Sequence, residues 1–334
     1  MSSLYVVQQG TRLQKDQGRF VLKPPTGEET KIPMREIKRI LVFGNVQLSN
    51  SVISTCLQLH IPVVFLSQLG KYKGQLWSAK SLDLAVETAQ FKRQDDTRLQ
   101  LETARAIVRG KLLNSKLLLQ RLNRKRQLPA VSKALAGLTK DIRATETAET
   151  LEALRGYEGI GAARYFPALG ASIVHPDFSF QTRNRQPPRD PVNSMLSFGY
   201  TLLFSNVFSL LLAEGCNPYL GNLHRSEKPN PELAMDLMEE FRSPIVDSLV
   251  LRLVNKKTIK PSDFTRPDAA GGVYLTEPAR RIFLKHFDQR ITDETAHPDL
   301  QTRVSYRRAI QLQIQRYKRC LLQSTAYEAF VRAV

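Results

Sequence analysis

Cysteine, acidic residues and long apolar runs are all scarce in this chain, and each shortage removes a class of protein. Among 334 residues there are three cysteines, Cys56, Cys216 and Cys320, far apart and without a C-x-x-C pair. That spacing argues against a disulfide framework and a zinc–thiolate site, and it fits a reducing cytoplasm. The N-terminal Met-Ser-Ser-Leu-Tyr-Val-Val lacks the charged and apolar regions of a signal peptide. Only residues 195–213 run for nineteen positions without a charge, long enough to be weighed as a membrane span. Asn206, Thr201, three serines and a glycine dilute the run, and there is no second span. It reads as a helix buried in a soluble core, with no membrane involved. Internal repeats and low-complexity tracts are absent too.

The shortage of acid is the most informative. Lys and Arg number 49 against 31 Asp and Glu, a formal net charge of +18, with a pI near 10.0. A surplus of that size points to a polyanion, either nucleic acid or an anionic membrane. Residues 92–143 hold fourteen Lys/Arg against four Asp/Glu, whereas 231–250 hold five acids and one arginine. A basic body around an acidic spot is what a metal-dependent enzyme acting on nucleic acid needs, and chance segregation of charge also produces it. With 42% hydrophobic and 24% charged residues the chain is globular, and its length allows two domains.

Hydrophobic periodicity changes near residue 80. Before it, Leu4–Gln8, Arg19–Lys23, Ile40–Phe43 and Val63–Leu66 are strand-like runs separated by turn signals. Gln47–His60 reads as one helix capped by Ser49 or Asn50, and Gly70 through Trp77 as a closing hairpin. After it the period is 3.6. Helices are expected over 82–128 (Gly110 a weak point), from Thr145 or Thr147 to Phe166, to about Ala213, from Pro231 to Val254 with a kink at Pro244, and over 277–290 and 298–332. The expectation is an α+β chain: a small β-sandwich-like domain over 1–80, a linker or first helix over 81–95, and a larger all-α domain over 96–334. Arg105 and Arg109 lie on a basic stripe of the 82–128 region, and Arg121 and Arg124 crowd its end. With Arg183, Arg185 and Arg189 in a Pro- and Arg-rich loop, they are the expected phosphate contacts.

Chemistry concentrates in three stretches. Glu158 sits among Gly156, Gly159 and Gly161 in a helical pattern. Each such glycine costs about 1 kcal/mol relative to Ala, so three suggest close packing or a ligand beside the backbone. His224 ends the turn Asn217-Pro218-Tyr219-Leu220-Gly221-Asn222-Leu223. Leu233, Ala234, Leu237, Met238 and Phe241 form an apolar helix stripe, while Asp236 and Glu239, three apart, are neighbours off that stripe. The two acids are either a solvated or ion-paired edge, or part of a groove where burial demands a base or a metal. Glu158, His224 and Glu239, with Asp236 nearby, would make a mixed oxygen and imidazole set suited to Mg²⁺ or Mn²⁺.

In this order and spacing the motifs resemble the CRISPR-associated adaptation integrase family. The resemblance covers nearly the whole chain, including Leu4-Tyr5-Val6, Gly44-Asn45-Val46-Gln47-Leu48, Gly156–Phe166, Arg185 to Asn193, Leu220-Gly221 with His224, and Asp236-Leu237 with Glu239-Glu240-Phe241-Arg242. It implies metal ligands at Glu158, His224 and Glu239, with Asp236 supporting them. It also implies insertion of short DNA fragments at the leader–repeat border by 3′-hydroxyl attack on a phosphodiester. Double-stranded DNA, both fragment and CRISPR array, is the implied substrate. A homodimer formed through the β-domain, bridged to another by a dimer of a small ferredoxin-like partner, is the implied assembly. Tyr200 is expected either to pack against DNA ends or to fill the core. The competing readings are a standalone nuclease of branched DNA and a non-catalytic DNA-binding scaffold.

Overall fold

The computed structural model describes residues 2–76, 78, 83–224 and 230–333, and the chain divides into two compact units, Met1–Ser81 and Leu82–Val334. The first contains β1 (Ser2–Val6), β2 (Arg12–Asp16), β3 (Arg19–Lys23), β4 (Thr30–Pro33), β5 (Ile37–Phe43), β6 (Gln47–Leu48), helix α1 (Asn50–Gln58), β7 (Val63–Leu66) and β8 (Tyr72–Leu76). They form two four-stranded sheets, ordered β1-β5-β7-β8 and β4-β3-β2-β6. In the first sheet β5 pairs in parallel with both β1 and β7. Its residues Arg39 to Phe43 are all buried, as a central parallel strand requires. Leu13 and Phe20 of the second sheet join Val6, Ile40, Val42 and Val63 of the first, with Val52 and Cys56 of α1, in one core.

Three elements of this unit differ from expectation. Strands β2 and β4 were missing from the sequence reading because each places few apolar side chains inward, chiefly Leu13 and Ile32. Helix α1 is shorter than 47–60. Gln47–Leu48 pairs with β2, and Ser49 caps the helix by accepting from Val52 N. The closing hairpin is β7 with β8; Trp77 lies outside the described residues.

The second unit is helical. The basic stretch splits into α2 (Leu84–Asp95) and α3 (Thr97–Asn123), and the break falls at Asp96, whose carboxylate caps α3 through Leu99 N. Gly110 is no weak point; a Cβ there would lie 2.5 Å from Ala329 Cβ, so its role is close packing. Next comes α4 (Pro129–Glu146), which the sequence reading passed over although Val131, Ala134, Leu138 and Ile142 form its buried stripe. α5 (Leu151–Ala171) starts later than expected, capped by Thr150 rather than Thr145 or Thr147. α6 (Pro191–Ala213) is long and apolar enough to cross a membrane by length and composition, and 72% of that window is buried within the fold.

The acidic helix is α7 (Glu232–Phe241). At Pro244 the chain passes through a π-helical turn, Arg242–Asp247, before α8 (Ser248–Asn255). That is the interruption expected of a proline with no N–H to donate. α9 (Glu277–Thr292), the short pair β9 (Glu294–Thr295) and β10 (Val304–Ser305), and α10 (Tyr306–Gln323) follow. The expected 298–332 helix is therefore shorter. Ser324 turns left-handed, and residues 325–333 follow without regular secondary structure. There Tyr327 Oη and Phe330 N each donate to Glu240 at 2.6 Å, and the Phe330 ring stacks on Phe241 at 4.7 Å.

Two glycines of α5 differ in a testable way. A Cβ on Gly170 would lie 1.8 Å from the Phe180 carbonyl oxygen, which is backbone; one on Gly161 would meet only the tip of Leu112. Gly170→Ala is expected to destabilise the protein by about 3 kcal/mol, and Gly161→Ala by about 1 kcal/mol because Leu112 can rotate. Thermal unfolding of the two variants checks the order.

Candidate metal centre

The site grows from α7. Its stripe of Leu233, Ala234, Leu237, Met238 and Phe241 is buried, but so are Asp236, Glu239 and Glu240. The helix is enclosed on nearly all sides, so a solvated acidic edge is ruled out and each carboxylate needs a partner.

Asp236 finds its partners in the turn before the helix. It accepts from Asn222 N at 2.6 Å and Leu223 N at 2.9 Å through Oδ2, and from His224 N at 3.0 Å through Oδ1. The same Oδ1 lies 2.7 Å from His224 Nδ1. The imidazole is thus held by Nδ1, with Nε2 as its remaining nitrogen. Burial opposes charging His224, but the Asp236 bond and the fields of Asp236, Glu239 and Glu158 outweigh it and raise its pKa. Gly221 makes the turn possible: a Cβ there would lie 2.6 Å from Glu232 Cβ and 3.1 Å from Asp236 Oδ2.

Helix α5 is tied to this turn by Arg155, whose Nε and Nη2 both donate to the Leu223 carbonyl, at 3.0 and 2.7 Å. One turn on lies Glu158. Neither Arg155 nor Arg164, which pairs with Asp141, neutralises it. Its partner is Lys111 of α3, whose Nζ lies 2.5 Å from Glu158 Oε1 and 2.7 Å from Glu239 Oε2. Arg242 completes the set, 2.9 Å from Glu239 Oε1. Burial pushes the Glu239 pKa up, but Arg242, Lys111 and His224 together hold it down at about 2. Glu239 is a buried, ionised carboxylate. Its Oε2 is in ion-pair range of Lys111 yet lacks an aligned hydrogen bond.

That anionic oxygen, met by a single mobile ammonium and set beside a second carboxylate and an imidazole, fits a hard divalent cation. Among the described residues no three His, Cys, Asp or Glu groups stand at metal-holding separation; the ammonium of Lys111 contacts both carboxylates instead.

With this geometry in view, the likeness to known proteins is decisive. The family profile "CRISPR associated protein Cas1" matches residues 4–289. This chain belongs to the Cas1 family. It is 36% identical to CRISPR-associated endonuclease Cas1 1 of Thermus thermophilus, over 98% of both chains. It is 35% identical to a Cas4/Cas1 fusion of Geobacter sulfurreducens, of which it spans 60%. It shares the fold of a casposase bound to integration product, at TM-score 0.86 and 21% identity over 98% of this chain and 93% of that one. One chain of a Cas6-RT-Cas1–Cas2 complex is similar at TM-score 0.83 and 23% identity, over 98% of this chain and 36% of that one.

The other residues singled out for this Cas1-family chain divide into inner and outer sets. Arg105 donates to the carbonyls of Thr145 and Ala148, so it braces the end of α4 rather than presenting an open phosphate contact. Arg183 is committed to Asn193 Oδ1 and Ser197 Oγ, each at 2.8 Å. Tyr200 is 9% exposed and donates to Asp247 at 2.6 Å. Its ring carries Arg242 at 4.8 Å and Arg183 at 5.5 Å. Packing against DNA ends is therefore closed to it, and it fills the core behind Glu239. Arg109, Arg121, Arg124, Arg185 and Arg189 are exposed, although Arg109 lies 3.5 Å from Glu146.

Sequence reasoning missed Lys111, and it missed Asp247, which accepts from both Tyr165 and Tyr200. A signal for Lys111 existed in the small or polar positions Gly110, Asn114 and Ser115 around it, all buried on α3.

Burial raises the Asp247 pKa against the two tyrosine donors and the nearby Arg242 and Arg183. The folded chain therefore keeps this proton to higher pH than the unfolded chain, whose carboxyl titrates near 3.8. Its contribution to stability is full below that value and is lost as pH rises through the folded pKa. Asp247→Asn is expected to flatten this part of the stability profile, as measured by denaturant unfolding across pH.

Proposed function

We propose that this Cas1-family endonuclease is a divalent-metal-dependent DNA integrase of CRISPR adaptation. On this reading it joins the 3′-hydroxyl of a short DNA fragment to a phosphodiester at the border of leader and repeat. The observation that carries the reading is Glu239, a buried carboxylate held ionised, set beside Glu158 and His224 and sharing the Lys111 ammonium with Glu158. Glu158, Glu239 and Nε2 of His224 are the groups that would hold Mg²⁺ or Mn²⁺. Such an ion, when bound, supplies Lewis-acid polarisation of the phosphate and stabilises the departing oxygen.

The chain's own residues do the rest. Asp236 fixes the imbalance between the two ring nitrogens of His224, keeping Nε2 for the site. Arg242 anchors one oxygen of Glu239, and the other, met by Lys111, is the one that would face the cation. The attacking group belongs to the DNA, so a nucleophilic serine or tyrosine is not required. Water in place of the hydroxyl turns the same site to hydrolysis. Exposed Arg109, Arg121, Arg124, Arg185 and Arg189 are the proposed phosphate contacts.

The casposase and Cas1–Cas2 likenesses support the reading of strand transfer and of a partner. We assign this chain a homodimer through its first unit, bridged by a dimer of a small ferredoxin-like protein, in the cytoplasm.

The test is integration into a supercoiled plasmid carrying the array, with and without the small partner and EDTA. Chelation is expected to abolish strand transfer. Asp236→Ala is expected to lower it by about 10- to 100-fold, the scale of losing a group that orients a ligand. Glu158→Ala, His224→Ala and Glu239→Ala are expected to lower it at least as far while still binding DNA. Strand transfer retained in Glu158→Ala would sink the site assignment. Cleavage of branched DNA with no integration would favour a standalone nuclease. DNA affinity is expected to fall steeply with salt.

A further inference from the structure

Lys111 stands between Glu158 and Glu239, and its side chain is only 13% exposed. Burying a lysine costs side-chain entropy and desolvation, and a methionine at this place would fill the same volume without either cost. Charge explains the choice. Glu158 and Glu239 carry two negative charges, and Lys111 and Arg242 carry two positive ones. The four groups are neutral together. A divalent cation added beside both bases would set four positive charges against the two carboxylates they share. With the ammonium displaced, three positive charges face the two carboxylates, and the DNA phosphate is left to take up the displaced ammonium.

The two bases are unequally suited to leave. Arg242 is fixed by Glu239 and by its position over the Tyr200 ring, and a guanidinium fork is a rigid partner. Lys111 is a point charge on a flexible four-carbon stem. Its backbone is held in the 27-residue helix α3, where Asn114, one turn on, donates to the carbonyls of Glu240 and Phe330 at 2.8 Å. Only the stem can move.

We propose that Lys111 is the built-in counter-cation of this site. It holds Glu158 and Glu239 together in the absence of metal, is exchanged when a divalent cation binds, and then pairs with the DNA phosphate at the same place. The proposal rests on the metal-centre reading above. It also accounts for the absence, among the described residues, of a converged trio of metal-binding groups: the carboxylates are arranged around an ammonium.

Lys111→Met tests it, because the stem length stays and the charge goes. Mn²⁺ binding to the DNA-free full chain is measured by calorimetry, and thermal unfolding is followed in EDTA and in Mn²⁺. Lys111→Met is expected to bind Mn²⁺ about tenfold tighter or more, since a competing charge a few ångströms away is lost. It is also expected to gain more thermal stability from Mn²⁺ than the wild type does, and to lose strand transfer. Equal or weaker Mn²⁺ affinity overturns the exchange. Glu239→Ala in both backgrounds separates this from the underlying reading. If it removes Mn²⁺ binding while Lys111→Met leaves affinity unchanged, only the role of Lys111 falls. If Mn²⁺ binding survives Glu239→Ala, the metal centre falls and the exchange with it. A Lys111→Met protein that folds in Mn²⁺ but not in EDTA supports the proposal; one that folds in neither overturns it.

Discussion

A carboxylate kept ionised inside the protein is the constraint on which the second unit depends. Glu239 is 2% exposed, and an isolated buried charge of that kind costs several kcal/mol. Two cations offset it, one local and one distant. Arg242 comes from the next turn of the same helix, and the π-helical turn around Pro244 begins at that residue. The carbonyl of Pro244 is in turn bound by the guanidinium of Arg290. Behind Arg242 lies the Tyr200 ring, itself held by Asp247 together with Tyr165. The interruption at Pro244, the arginine and the buried tyrosine pair act as one support for one oxygen of Glu239.

The second cation makes α3 the member that joins the site together. Lys111 reaches Glu158 of α5 and Glu239 of α7 from a single helix. Gly161 lets α5 come close enough, since a side chain there would strike Leu112 of α3. Asn114 and Gly110 then hold the returning segment that carries Phe330 and Ala329. That segment ends on Glu240, the neighbour of Glu239, so both faces of α7 are braced. Rigid placement matters here because a constellation of charged groups works only when its supporting residues lock its geometry.

The positive charge of the chain serves two purposes that a net value cannot separate. Some bases stand outside, among them Arg124, Arg185 and Arg189. Others have been drawn inward to satisfy carbonyls and acids: Arg105 on Thr145 and Ala148, Arg155 on Leu223, Arg183 beside α6, and Lys111 in the site. A stripe that looked uniformly electrostatic is partly mechanical.

What the sequence determined by itself is the change from a β-rich to a helical region and the family to which the chain belongs. The switch of period near residue 80, the burial of the α7 stripe and the interruption at Pro244 were all legible. They depend on local pattern, which a sequence carries directly; Glu158, His224, Glu239 and Asp236 were singled out by resemblance to a family. Strands β2 and β4 and helix α4 were not legible, because their apolar signal is thin or interleaved with charge. Tertiary structure alone decided what faces the acids. Lys111 carries only the indirect signal of its small and polar neighbours, and nothing local distinguishes Arg105 from Arg124. Partnership between charges is set by which helix faces meet after folding, and Lys111 meets Glu158 across 47 residues of chain.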